Sequence, residues 1–197
     1  STPHRVTQAE FDAAIANLQA QIDKLSTMKK IGDHFGGGII FYVDATGQHG
    51  LIASLSDQSS GIQWSNGVDK ITGATGDGVG AGLTNTAIIV AAQSNDTPGG
   101  NFAAKVAADY SVQDDGISAC TGSADEICHG DWYLPSKHEL NLLYQQAGVV
   151  GGFAANVYWS STDYDANLAW TQNFFDGNQY PNGKNYADGS VRAVRAF

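Results

Sequence analysis

Several residue patterns in this sequence approach known chemistry, and each can be tested against the spacing that chemistry needs. His138-Glu139 opens like a helix that presents two imidazoles to zinc, but the second His should follow one turn later and position 142 is Leu. Glu139 is therefore read as a helix cap. Gly73 to Gly82 precedes a helical pattern, where backbone N–H groups could cradle a phosphate. Its glycines fall mostly at every second position, matching neither the dinucleotide nor the P-loop pattern, so it reads as a flexible or ligand-skirting loop. Asp163-Tyr-Asp165-Ala-Asn167 begins like a calcium loop, yet Leu168 stands at the obligatory Gly and Phe174 at the bidentate Glu. A looser Ca2+ or Mg2+ site using Asp163, Asp165 and Asp176 remains the one cofactor expectation, against ordinary Asp/Asn turn chemistry. Asp114-Asp115 and Asp125-Glu126 read as solvated loop charge, and Asp57 to Gly61 lacks the leading Gly of a nucleophile elbow. No catalytic constellation forms, and a non-catalytic binding module is expected.

Composition narrows the partners. The 197 residues carry 10 Lys plus Arg against 20 Asp plus Glu, a net charge of −10, which argues against nucleic acid and polybasic membrane contacts. With 42% hydrophobic and 15% charged residues, the chain can bury a core as one compact domain with an appendage. It has no apolar run of about 18 residues, so direct membrane insertion is not expected. It starts at Ser1 without a leader pattern and reads as a piece of something longer. Cys120 and Cys128, the only cysteines, lie in a polar loop and are read as one short disulfide in an oxidising compartment.

The elements that must position any site begin with residues 7 to 28. Thr7 and Glu10 form a capping box, and Phe11, Ile15, Leu18, Ile22 and Leu25 then recur at alternating steps of four and three. That stripe is narrower than the face of a helix packed on its own globule, so it reads as a coiled-coil seam with two or three strands open. Lys24, Lys29 and Lys30 close this segment. Strands are expected over 36 to 43 and 50 to 54, helices over 84 to 93, 101 to 110 and 136 to 148, and short strands over 157 to 161, 169 to 175 and 191 to 197. Few strands, few helices and long Gly-rich loops imply an α+β fold. Trp64, Trp132, Tyr158, Trp159, Tyr164, Trp170 and Tyr180 offer rings able to stack on sugars, most of them expected in the core.

Residues 130 to 144, Gly-Asp-Trp-Tyr-Leu-Pro-Ser-Lys-His-Glu-Leu-Asn-Leu-Leu-Tyr, resemble the Gly-x-Trp-x-Leu-Pro-[Ser/Thr]-x-x-Glu-Leu signature of the Lcl C-terminal domain family. Tyr-Trp-Ser-Ser at 158 to 161, Ala-Trp at 169 to 170, Asp-Gly at 176 to 177 and Val-Arg-x-Val-Arg at 191 to 195 extend the likeness. The resemblance implies a C-type-lectin-like α+β domain, trimeric, at the end of a collagen-like stalk on the bacterial surface, binding sulfated glycosaminoglycans on host cells as an adhesin. The seam and the abrupt change of composition after Ile31 divide the chain into residues 1–30, an oligomerisation helix, and 31–197, the binding domain, and the resemblance tips the seam towards a homotrimer. The calcium-sugar motifs of many animal lectins are absent, Gln179 to Asn182 only approximating one, so sulfate would be held by cations. The candidates are Arg192, Arg195, Lys184, Lys137, His138 and Lys105. Arg192 and Arg195 are three apart, and one of the two is expected to be structural. The rival reading is a module for trimerisation and auto-aggregation that bridges cells through divalent cations without reading a glycan.

Overall fold

A computed structural model of the protein describes residues 5–197; the first four residues of the expected oligomerisation segment lie outside them. The chain opens with α1 (Gln8–Ser26), begun by the anticipated capping box: the Thr7 hydroxyl accepts from Glu10 N–H and the Glu10 carboxylate accepts from Thr7 N–H. No residue of α1 is buried, and the seam from Phe11 to Leu25 is 52 to 63% exposed. The helix therefore does not bury its apolar stripe on its own domain.

The main sheet is antiparallel and four-stranded, in the order β1 (His34–Phe35), β2 (Gly38–Val43), β3 (Gly50–Ser54) and β9 (Val194–Ala196). Its central strands are apolar on both faces because both faces are covered. Ile40 and Ile52 point into one core with Trp64, Ile89, Phe102 and Trp159, whereas Ile39, Phe41 and Leu51 point into a second with Leu140, Leu143 and Tyr158. A second sheet of β6 (Val157–Asp163), β7 (Leu168–Asn173) and β8 (Gln179–Gly183) is also antiparallel. Around them lie α2 (Ala81–Gln93), α3 (Ala103–Ala108), α4 (Lys137–Gln145), α5 (Ala147–Val150) and the two-residue pair β4 (Val112–Gln113) and β5 (Cys128–His129). The result is mixed α and β with separate antiparallel sheets, in keeping with α+β.

Three departures from the sequence reading have physical causes. Strand β8 carries Pro181, which reads as a turn, but it lies at the sheet edge where the missing N–H costs no ladder bond. The helix expected from residue 101 starts at Ala103, with Phe102 at the N-cap in extended backbone and wholly buried, so packing rather than a side-chain cap sets the start. Residues 191 to 193 precede β9 as buried chain rather than strand, with Val191 bridged to Ser59. Among the rings, Trp64, Trp132, Tyr158 and Trp159 are core, Trp170 is half-buried, and Tyr164 and Tyr180 are exposed. The three buried indoles donate to the carbonyls of Ser160, His129 and Ile62 at 2.7 to 3.0 Å, satisfying a polar group that burial would otherwise strand. Cys120 and Cys128 form a disulfide with Cα atoms 5.8 Å apart.

Candidate ligand-binding site

The cations divide into those committed inside the protein and those left at its surface. Arg192, a candidate for sulfate, is 1% exposed. Its Nε donates to Asp57 at 2.6 Å, Nη1 to the carbonyls of Ser54 and Gly151, and Nη2 to that of Gly152. Lys184 is 0% exposed, with Nζ donating to the carbonyls of Lys70 and Asp165 at 2.6 and 2.7 Å. Its ammonium lies 2.7 Å from Asp163 Oδ1, an ion pair without hydrogen-bond alignment, and 4.6 Å from the Trp64 ring centre. Neither group reaches solvent, which corrects their assignment to a ligand surface: a buried cation must be paired and hydrogen-bonded, and these two are. Arg195 binds Asp131 through two nitrogens at 2.7 and 3.0 Å and donates to the Gly36 carbonyl, and Lys105 is paired with Asp109 one turn along. Lys137 has its ammonium 3.5 Å from the Trp170 ring centre and no carboxylate partner among the described residues. His138 is exposed beside Asp77 and Gly78 in a shallow depression. The six candidates therefore do not converge on one patch.

The acidic candidates are likewise committed. Asp163 Oδ2 accepts from Thr72 N–H and hydroxyl at 2.8 and 2.9 Å, Asp165 accepts from Asn167 and Leu168 N–H, and Asp176 accepts from Asn178 N–H. The first is neutralised by Lys184 and the other two shape their own turns, so they do not assemble into an oxygen cage for Ca2+ or Mg2+. Among the described residues, the one group close enough to share a metal is Cys120, Glu126 and Cys128, and both sulfurs there are in the disulfide.

The Gly73–Gly82 loop holds an anion, but the anion is the protein's own. The Glu139 carboxylate, fully buried, accepts from Gly80 N–H at 2.7 Å, Ser136 N–H at 2.8 Å, Tyr133 O–H at 3.1 Å and Gly82 N–H at 3.2 Å. A side chain at 82 would run into that carboxylate, which explains one glycine of the loop. A phosphate cradle is thus filled from within by the same Glu that closes the capping box of α4.

One pocket combines unpaired cations with an apolar floor. It lies at the neck between α1 and the sheet, with a volume of about 360 Å³. Lys24 and Thr27 come from the last turn of α1 and its cap, and Met28 and Lys29 from the link that follows. Phe35 on β1 and Phe197 after β9 meet edge to face 5.5 Å apart, and Lys29 Nζ stands 3.9 Å from the Phe35 ring centre. The β2–β3 turn supplies the far wall, with Gly47 at φ +71° packed on Met28. No Asp or Glu side chain lines this pocket, and Lys24 and Lys29 have no carboxylate partner among the described residues. Asp44 is turned into its own loop, where the Thr46 hydroxyl at 2.6 Å holds its carboxyl below the usual range. The sequence signal was the cluster of lysines closing the first segment; what could not be read was that the chain returns with Phe197 to give them an aromatic floor.

The fold is a loop-rich one of mixed α and β with separate antiparallel sheets. The model of the Lcl C-terminal domain family matches residues 53–195, and the chain belongs to that family, one of adhesin-related domains. No curated protein matches the chain. Among the described residues no helix is long and apolar enough to cross a membrane.

Burial raises the Glu139 pKa despite its four donors, so the folded chain takes up a proton there at higher pH than the unfolded chain. The resulting stability is complete below the ordinary value of 4.5 and is lost as pH rises through the raised one. Asp115 and Glu126, whose pKa values are lowered by hydrogen bonds, act oppositely and only as pH falls below 3.8 and 4.5. Urea melts across this range should show stability rising as pH falls from neutrality towards 4.5, and Glu139→Gln should remove that rise. The amide NH2 it turns on N–H donors should also cost about 1–3 kcal/mol. An unchanged melt would mean the carboxylate does not anchor the loop.

Proposed function

We propose that this chain is the head of an extracellular adhesin on a bacterial surface, a homotrimer through α1, that binds sulfated glycosaminoglycans on host cells without catalysis. The observation that carries this reading is the distribution of cations. In a chain of net charge −10, Arg192, Lys184, Arg195 and Lys105 are neutralised by Asp57, Asp163, Asp131 and Asp109. Lys24, Lys29, Lys30 and Lys137 lack such partners among the described residues, and two of them stand over aromatic rings. Sulfate esters remain ionised at all physiological pH, and ammonium groups free of internal carboxylates meet them without first breaking an ion pair. The open seam of α1 supports self-association, because copies of the same stripe would remove five large apolar side chains from water.

Binding to immobilised heparin and chondroitin sulfate should be saturable, should weaken steeply with salt, as counterion release from a polyanion requires, and should survive excess chelator. Loss in chelator would favour the cation-bridged aggregation module, and no binding at low salt would end the glycosaminoglycan reading. For the assembly, sedimentation equilibrium should give three times the 20.7 kDa chain mass, and Ile15→Asp should return it to one chain. A wild-type monomer at micromolar concentration would remove the trimer from the account.

A further inference from the structure

The neck pocket is lined by two lysines and two phenylalanines with no Asp or Glu side chain, and the Lys29 ammonium stands over the Phe35 ring. We infer that it is a subsite for an anionic pyranose, with a sulfate or uronate held between Lys24 and Lys29 and the apolar face of the ring laid on Phe35 and Phe197. This rests on the glycosaminoglycan reading and gives it a place on the protein.

Each part of the ligand answers a feature of the pocket. The anion is called for by Lys24 and Lys29, which approach from the helix and from the link after it and have no internal counter-charge among the described residues. The ring is called for by Phe35, which is exposed, and Phe197, half-buried against the core, whose edge-to-face pair offers C–H groups of a sugar an apolar contact. The Gln48 carboxamide lines the same pocket and makes no hydrogen bond within the described residues, leaving it to a ring hydroxyl. Inorganic sulfate would use the lysines alone and a fatty acyl chain the floor alone; a sulfated pyranose uses both. At about 360 Å³ the pocket falls at the small end of the range of about 300–1,000 Å³ for ligand sites, suited to a short segment of a polymer.

One consequence follows from the pocket's construction. Its walls come from α1 on one side and the β2–β3 turn on the other, so a bound sugar ties helix to head, and helix docking and ligand binding favour each other. Its lining lies before residue 53 and after residue 195, outside the segment matched by the family model.

The test titrates the full chain with a sulfated heparin disaccharide, its unsulfated counterpart and inorganic sulfate, and compares a Lys24→Gln, Lys29→Gln double variant with Lys105→Gln. The double variant should lose about tenfold or more in disaccharide affinity, as expected for lost charged contacts, and its salt slope on heparin should fall by about two. Lys105→Gln should match the wild type, and both should melt with it, since exposed lysines bear little on stability. Phe35→Leu should weaken the disaccharide while leaving inorganic sulfate unchanged. If the double variant binds heparin like wild type, the subsite is wrong and the glycosaminoglycan reading stands. If the wild type binds no sulfated polymer, that reading fails first. If inorganic sulfate competes as well as the disaccharide, or if the double variant changes oligomeric state rather than affinity, the pocket holds a bare anion or a second copy and the proposal is overturned.

Discussion

Two cations sealed inside the domain, Lys184 and Arg192, hold its long connections to its sheets. A chain with so much loop must still satisfy the backbone groups those loops bury. Lys184 gathers the carbonyls of residues 70 and 165 beside Asp163, and Arg192 gathers those of 54, 151 and 152 beside Asp57. Glu139 does the converse, collecting N–H donors from 80, 82 and 136. These three charged centres stand in for the ladders that regular elements would have supplied. Removing one partner of such a buried pair costs about 3–5 kcal/mol, because the other is left charged and alone.

The same arrangement dictates where a ligand can be held. Of the two arginines in the closing Val-Arg-x-Val-Arg segment, Arg192 braces the interior and Arg195 is tied to Asp131 nearer the surface. What remains for an anionic polymer is the set of lysines with no carboxylate, and these concentrate where α1 joins the head. An acidic protein can bind a polyanion in this way only if its own carboxylates are turned from the contact, as Asp44 is by its hydroxyl and N–H donors.

Much of the architecture was legible in the sequence because it rests on local rules. The two capping boxes, the β2–β3 hairpin, the disulfide and the open seam all depend on residues within a few turns of each other. Strand β8 was missed because its Pro reads as a break and only its edge position excuses it. The site was less legible because the fate of a cation is decided by partners far away in sequence. Lys184 meets Asp163 and Lys70, and Arg192 meets Asp57 across 135 residues, a pairing that no local pattern announces. The neck pocket needs Phe197 to close over residues 24 to 48, and spacing says nothing about that return.

Amine-reactive labelling of the full chain, read lysine by lysine by mass spectrometry with and without heparin, tests this division of cations most directly. The account predicts rapid labelling of Lys24, Lys29 and Lys30 in the free protein, their protection by heparin, and no labelling of Lys184 in either state. Ready labelling of Lys184, or heparin protection confined to Lys70 and Lys105, would contradict it.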